Sequence, residues 1–351
     1  MVIPIPQMNI LSFTSEDKER WDKYVLESSS SSVYHLSGWK EVIENTFGHS
    51  TRYLLSENDE KGVQGILPVV QLKSMLFGNY MVSLPYFTYG GVCADSDEIR
   101  DGLLGAAIAY AQSRNAGYLE MRHSGPMANG MPVKTTKVSM RLPLVNNPDD
   151  LWRSFTAKLK SQIRKPSKEG MYVKLGKEEE LNSFYKVFSI NMRDLGTPVY
   201  PKHFFRNILR MFPELTWICS VYTKDGNPVA SGFLVGFKNL LEIPWASSLR
   251  SYNNLSPNML LYWTVLKFAS ESGYGSFDFG RSTPGEGTYR FKEQWGAQPV
   301  RLHWHYWLKK GGPLPELNPH NPKYRAAIEV WRRLPVGLTR LIGPAIVKNL
   351  P

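Results

Sequence analysis

The sequence predicts a two-domain chain of mixed α/β (α+β) class, each domain a sheet with helices packed on it. Three observations carry this. The chain has 351 residues, too many for one ordinary domain and comfortable for two. Hydrophobic residues make up 42 % and charged residues 21 %, the balance of a globular protein with a sizeable core. Finally, one order of elements (hairpin, strand, loop, helix, glycine, strand) is read twice along the chain.

In the first copy, Ser15 is placed to cap a helix over 16–27, with Trp21, Tyr24 and Val25 on one face. A loop at the serine run 28–32 follows. A second helix carries Trp39, Val42, Ile43 and Phe47 and stops at Gly48. Strands are expected at 52–56, 62–72 and 80–84, rich in β-formers and separated by the turn signals Asn58–Lys61 and Gly78-Asn79. Pro85 to Gly91 is an aromatic, glycine-bearing loop. A helix over 98–115 and a strand over 118–122 complete the copy.

The second copy begins with helices over 178–192 and 201–211. Strands are expected at 216–222, 229–237 and 240–246, with turns at Asp225-Gly226-Asn227 and Lys238-Asn239. Ser256-Pro257 starts a helix that Gly273 stops, since proline suits the first helical turn. A strand follows at 276–279. Gly65 is read as the counterpart of Gly232. Gly117-Tyr118 before Glu120 is read as that of Gly273-Tyr274 before Asp278. The divisions expected are 1–150, 151–310, and a linker and tail over 311–351. In the tail Tyr324, Ala327, Ile328, Trp331 and Leu334 share one helical face and Arg325, Arg332 and Arg333 the other. This basic amphipathic helix is expected to pack back on the N-terminal domain. The sharper alternative is contact of 323–351 with an anionic membrane surface.

Charge is divided unevenly. Residues 1–150 hold 13 Lys and Arg against 17 Asp and Glu; residues 151–351 hold 29 against 14. The basic half points to an anionic partner: phosphate, pyrophosphate, RNA or an acidic membrane face. Cys93 and Cys219 are too few for a disulfide framework or a zinc cluster, and no metal site is expected. The opening MVIPIPQMNILSF lacks a basic n-region and a long apolar run, and no stretch of 18 apolar residues occurs, so a cytoplasmic protein is the expectation.

Two segments carry the candidate chemistry. Lys158, Lys160, Arg164, Lys165 and Lys168 crowd a stretch without an acid until Glu169. Lys160 and Arg164 stand one helical turn apart, a face suited to phosphate. The richer segment runs from Phe277 to Ala297. A strand ends in glycines that let backbone amides approach an anion, and Arg281, Arg290 and Lys292 supply charge. Its alternating aromatic and basic residues read structurally as a β-hairpin. Neither a Walker A pattern nor a dinucleotide GxGxxG is present, which excludes the usual nucleotide-hydrolysis motif.

Taken together, LKSQIRKPSKEG (159–170), NMRDLGTPVYPKHFF (191–205), LSPNMLLYW (255–263) and FDFGRSTPGEGTYRFKEQWGA (277–297) resemble FemAB-like acyltransferases, nearest to the branch associated with exosortase and exopolysaccharide systems. The resemblance implies two tandem GNAT-like domains, with chemistry in the second. The first, acidic on balance and without a matching basic-glycine hairpin, is expected to have a binding or structural role. It implies transfer of an acyl or aminoacyl group to an amine; better-known relatives add amino acids from aminoacyl-tRNA to peptidoglycan precursors. Phe291-Lys292 matches the Phe-Lys of the family's active-site hairpin, and Arg281 and Tyr289 match nearby positions of the motif. Pro166 departs from the family's helix former and leaves the helix past Lys165 open.

The resemblance makes Lys292, Asp278 and Tyr289 the catalytic candidates. Lys292 is expected to steady an oxyanion or phosphate, and Asp278 or Glu286 to act as base. Arg281, Arg290, Phe291, Gly280, Lys160, Arg164, Lys165 and Ser256 are the candidates for substrate and phosphate binding. His303 and His305 flank Trp304 in a strand with alternating faces; one of them is a candidate to point into a site, a packed or surface histidine being the commoner outcome. No tightly bound cofactor is expected. The co-substrate is aminoacyl-tRNA or acyl-CoA, and the acceptor an amine-bearing envelope or polysaccharide precursor. Ordinary CoA-using GNAT domains carry a Q/R-x-x-G-x-G/A loop before the helix; residues 250–256 here lack glycine, which weighs against acetyl-CoA, although a helix N-terminus binds pyrophosphate without glycine. Two non-enzymatic rivals use the same basic half, an RNA-binding protein and a scaffold on the inner face of the membrane. No RRM, KH or zinc-knuckle pattern supports the first.

Overall fold

The computed structural model describes residues 9–58, 60, 62–127, 130–315 and 322–350, with side chains from 325 in the last stretch. The first eight residues, the linker residues 316–321 and the side chain of Tyr324 lie outside the described residues. The chain forms two units. The first comprises Met1–Lys137, Arg301–Pro315 and Lys348–Pro351; the second, Val138–Val300 and Glu316–Val347. The expected boundaries shift accordingly. Residues 138–150 go to the second unit, 301–310 to the first, and most of the tail to the second.

Each unit is built on one sheet, and the two sheets share a plan. The first runs Asn9–Ser12, Ser50–Asn58, Gly62–Ser74, Gly78–Val82, Tyr118–His123, His303–Leu308 and Val133–Lys134, with Cys93–Ala94 beside Gly62–Ser74. The second runs Tyr172–Gly176, Thr216–Tyr222, Pro228–Phe237, Leu240–Ser248, Ser276–Ser282, Val138–Pro143 and Gln298–Arg301. In both, four antiparallel strands lead to one parallel pair. That pair is Gly78–Val82 with Tyr118–His123 in the first sheet and Leu240–Ser248 with Ser276–Ser282 in the second. An antiparallel strand from a distant part of the chain then closes each sheet.

Register makes the duplication concrete. Thr51, Val70, Val82 and Glu120 stand in one row across the first sheet. Thr216, Val235, Glu242 and Asp278 stand in the same row of the second. Glu120 is therefore the counterpart of Asp278, as expected. Gly65 and Gly232 are two positions out of register, and Gly117 corresponds to Gly275 rather than Gly273.

Local chemistry explains most element ends. Gly48 closes its helix at φ +69°. The first helix is preceded by a turn whose capping box joins Thr14 to Asp17, so Thr14 and not Ser15 starts it. Helix Ala157–Lys168 runs through Pro166, which is buried in its last turn, so the helix continues past Lys165. The core of the second unit lies between its sheet and helices Ala157–Lys168 and Pro257–Glu271, around Leu159, Ile163, Leu261, Val265 and Phe277.

The tail forms helices Pro322–Arg333 and Val336–Val347. Contrary to expectation they pack on the second unit, not the first. Arg193 donates to the Leu334 carbonyl at 3.1 Å and Arg340 Nε to Ser189 Oγ at 2.8 Å, both on helix Leu181–Leu195. No helix among the described residues is long and apolar enough to cross a membrane.

Candidate active site

The site is built where the second unit's parallel strands part. Pairing runs Leu240 to Ser276, Leu241 to Phe277 and Glu242 to Asp278, and then stops. Both strands are irregular at that point. On one side, Val235 pairs with Glu242 and Phe233 with Trp245, so an extra residue is accommodated at Ile243-Pro244, where the proline has no amide to donate. On the other, Asp278 pairs with Arg141 and Arg281 with Ser139, which leaves Phe279-Gly280 opposite Met140 alone. Gly280 takes φ +77° at this bulge, a conformation that favours glycine.

Asp278 fixes the bulge. It is completely buried. Its Oδ1 accepts from the Ser139 hydroxyl and, at 2.7 Å, from the Gly280 amide, while Arg141 Nε donates to Oδ2 at 3.2 Å. The carboxylate thereby braces the bulge and ties it to the neighbouring strand Val138–Pro143. Glu242 lies abreast of it and is also buried.

Lys292 reads the turned backbone. The expected hairpin is a short helix, Gly287–Glu293. From it, Lys292 Nζ donates to the Gly280 carbonyl at 2.8 Å and the Arg281 carbonyl at 3.1 Å. Two donors of the ammonium are used, and the third has no partner among the described residues. Burial pushes Lys292 down to about 8; the Asp278 charge opposes this and Arg281 adds to it. Next along the strand, the buried Ser282 hydroxyl has no hydrogen-bond partner among the described residues.

The remaining candidates sort by place. Arg281 and Arg290 are exposed beside the bulge, and Glu286 is exposed before the short helix without a capping bond from its side chain. Tyr289 and Phe291 are half-buried against the core, with Phe291 edge-on to Tyr262 at 5.1 Å. Lys160, Arg164 and Lys165 lie on helix Ala157–Lys168, away from the bulge. Lys160 donates to the Arg153 carbonyl at 3.0 Å, Arg164 sits 5.1 Å over the Trp152 ring, and Lys165 is exposed. Ser256 stands before helix Pro257–Glu271 at φ +57° with no capping bond from its side chain. The segment Arg250–Leu255 coils into a 3₁₀ turn. The Ser256 amide already donates to Asn253 and the Met259 amide to Ser256, while Pro257 has none, so this terminus offers an anion few amides.

His303 and His305 belong to the first unit and are not part of this site. His305 is buried with Nδ1 3.2 Å from His123 Nδ1. Sequence reasoning missed Ser139 and Arg141, whose strand it left unassigned within the first domain. The alternation of polar and apolar residues over Ser139-Met140-Arg141-Leu142 is the signal that finds it.

Residues 153–293 match the family model of the acetyltransferase (GNAT) domain. No curated protein matches the chain. Among solved structures, the chain is similar to FemX, at 16 % identity and TM-score 0.64 over 85 % of this chain and 97 % of that one. It is also similar to the C-terminal domain of a putative lysylphosphatidylglycerol synthetase from Agrobacterium fabrum, at 12 % identity and TM-score 0.57 over 95 % and 97 %. A tandem GNAT protein from the clavulanic acid biosynthesis pathway matches at 11 % identity and TM-score 0.53 over 88 % and 100 %. The chain is therefore a mixed α/β protein of tandem GNAT-like fold. Its second unit holds an acetyltransferase-type GNAT domain, with the parted strands and Lys292 inside the matched segment.

Proposed function

We propose that the second unit transfers an acyl or aminoacyl group from an activated donor, acyl-CoA or aminoacyl-tRNA, to an amine of a cell-envelope or exopolysaccharide precursor. The observation that carries this reading is Lys292, a buried ammonium bound to the two carbonyls just past the point where the parallel strands stop pairing, with a third donor that no described residue takes, in a GNAT-type domain. The acceptor nitrogen attacks the donor carbonyl and forms a C–N bond. The C–S bond of a thioester or the C–O bond of a ribose ester breaks, and the amine proton ends on the leaving thiolate or alkoxide. Negative charge gathers on the carbonyl oxygen meanwhile, and Lys292 is placed to meet it. Asp278 keeps the Gly280 and Arg281 carbonyls in position to hold Lys292. Arg281, on the bulged strand, and Tyr289, Arg290 and Phe291, on the short helix that carries Lys292, are the residues we assign to substrate contact.

The first unit serves binding or support. There the strand pairing also ends, at Val82 with Glu120, but loop amides continue along the strand: Ser83 N donates to the Glu120 carbonyl at 2.8 Å and Gly91 N to the Arg122 carbonyl at 2.9 Å. The test is transfer to a panel of amine acceptors, with charged tRNA and acyl-CoA species as donors and Lys292→Ala as control. Product from either donor that Lys292→Ala fails to make supports the reading; equal product from the variant, or none from any donor, sinks it.

A further inference from the structure

A groove of about 600 Å³ lies in the second unit between helix Ala157–Lys168 and helix Pro257–Glu271. It does not include Lys292. Trp152 and Trp263 line it, their rings 4.9 Å apart and tilted by 52°. Arg164, Lys168 and Lys267 add three cations, Ser167 and Thr264 two hydroxyls, and none of the lining residues is acidic. Arg164 lies over the Trp152 ring. Lys267 has a carboxylate nearby, that of Glu271 at 3.7 Å, but both side chains are half exposed and such a pair is weak.

This combination selects among anions. An acidic peptide or a bare phosphate uses the cations and leaves the tryptophans idle. A nucleotide uses both, because its base stacks on an aromatic face while arginine and lysine take the phosphates. From the groove, a run of rings leads toward Lys292. Trp152 neighbours Phe155 at 6.3 Å, Phe155 meets Trp295 at 5.5 Å, and Trp295 meets Phe291 at 6.4 Å.

We propose that this groove binds the phosphorylated nucleoside end of the activated donor. The proposal rests on the acyl-transfer reading for the donor, though nucleotide binding itself does not. Both donors end in the same chemistry: acyl-CoA in a phosphorylated adenosine, aminoacyl-tRNA in a 3′-terminal adenosine on a phosphodiester. The groove holds that end. In acyl-CoA the pantetheine arm spans the distance from the nucleotide to the thioester, whereas in aminoacyl-tRNA the ester is on the terminal ribose itself and stays beside the groove.

The experiment is a tryptophan-fluorescence titration of the full chain with adenosine 3′,5′-bisphosphate at low salt. Saturable quenching is expected. Arg164→Glu and Lys168→Glu, both at exposed positions, should weaken it about tenfold or more, as should Trp263→Ala, whose lost stacking is of that order. Inorganic phosphate at the same concentration should not compete. Desulfo-CoA and a short RNA ending in the tRNA 3′ sequence serve as competitors, and whichever displaces the bisphosphate identifies the donor. No saturable binding, equal binding by the groove variants, or equal competition by phosphate overturns the proposal. So does RNA binding that is indifferent to the 3′ end, which describes a general RNA surface. Failure here is separable from failure of the reaction. A protein that binds nucleotide in the groove but transfers nothing sinks only the acyl-transfer reading, while transfer undiminished in Arg164→Glu and Lys168→Glu sinks only the groove.

Discussion

Glu120 and Asp278 occupy the same row of the two sheets, each the last residue paired across its parallel strands, opposite Val82 and Glu242. Each buried carboxylate accepts from an arginine, Glu120 from Arg122 Nε at 2.7 Å and Asp278 from Arg141 Nε at 3.2 Å. The outcomes diverge from there. In the first unit Arg122 is itself buried, donates to the Leu84 and Phe87 carbonyls and stacks 4.4 Å from Trp304. In the second the row opens and Lys292 enters.

Arg122→Ala should therefore destabilise the first unit strongly. It leaves Glu120 with the Tyr306 hydroxyl, at 2.7 Å, as its side-chain donor among the described residues. Removing one partner of a buried pair costs about 3–5 kcal/mol. Thermal unfolding of the variant should show a loss of that size; a melting temperature equal to the parent's refutes the pairing.

Lys292 gives a pH prediction with a definite sign. Its amine is held below the ordinary 10.5, at about 8, by burial. The unfolded chain then binds more protons than the folded one between about 8 and 10.5, so stability rises with pH across that window. Lys292→Met should lack this rise in denaturant titrations at stepped pH. Transfer that needs the ammonium should fall as pH passes 8, and Lys292→Ala should lose about 10²–10³ in rate at neutral pH, the usual cost of an oxyanion donor. A rate that climbs through pH 8 assigns Lys292 to the neutral amine instead.

Asp278 acts on that titration through space. Its charge raises the Lys292 pKa against burial. Asp278→Asn keeps an acceptor for the Gly280 amide but removes the charge, so the alkaline limb of the rate profile should move to lower pH. A variant that only loosened the fold would lower the rate at every pH and leave the limb where it was.

Much of the fold was legible because its signals are local. The Asp225-Gly226-Asn227 turn, the Ser256-Pro257 start and the αL glycine after Phe47 each act over a few residues. Where the closing strands pair was not legible. Val138–Pro143 and His303–Leu308 owe their places to partners far along the chain, Ser276–Ser282 and Tyr118–His123, and no short window contains that information. Within the site, Tyr289-Arg290-Phe291-Lys292 alternates like a strand. The helix prevails because Lys292 is drawn to the Gly280 and Arg281 carbonyls while Phe291 packs toward Tyr262. Lys292 was singled out through the Phe291-Lys292 resemblance; the contacts that hold it, with Asp278 as brace and Arg141 behind it, needed the register.

The tail tests whether packing on the second unit is specific. Thr339, Gly343 and Val347 are the buried stripe of helix Val336–Val347. A Cβ at Gly343 would lie 2.9 Å from the Val199 amide nitrogen and 3.2 Å from its carbonyl oxygen, backbone atoms that cannot swing aside. Gly343→Val should release the helix, and limited proteolysis should then cut between residues 333 and 336 while the sheet core stays intact. The opposite face exposes Leu338 and Leu341, and the preceding helix exposes Arg325 and Arg333. If that face lies on anionic lipid, Leu341→Glu should lower co-sedimentation with phosphatidylglycerol vesicles and leave the proteolysis pattern unchanged. Equal co-sedimentation of parent and variant confines the tail to packing on helix Leu181–Leu195.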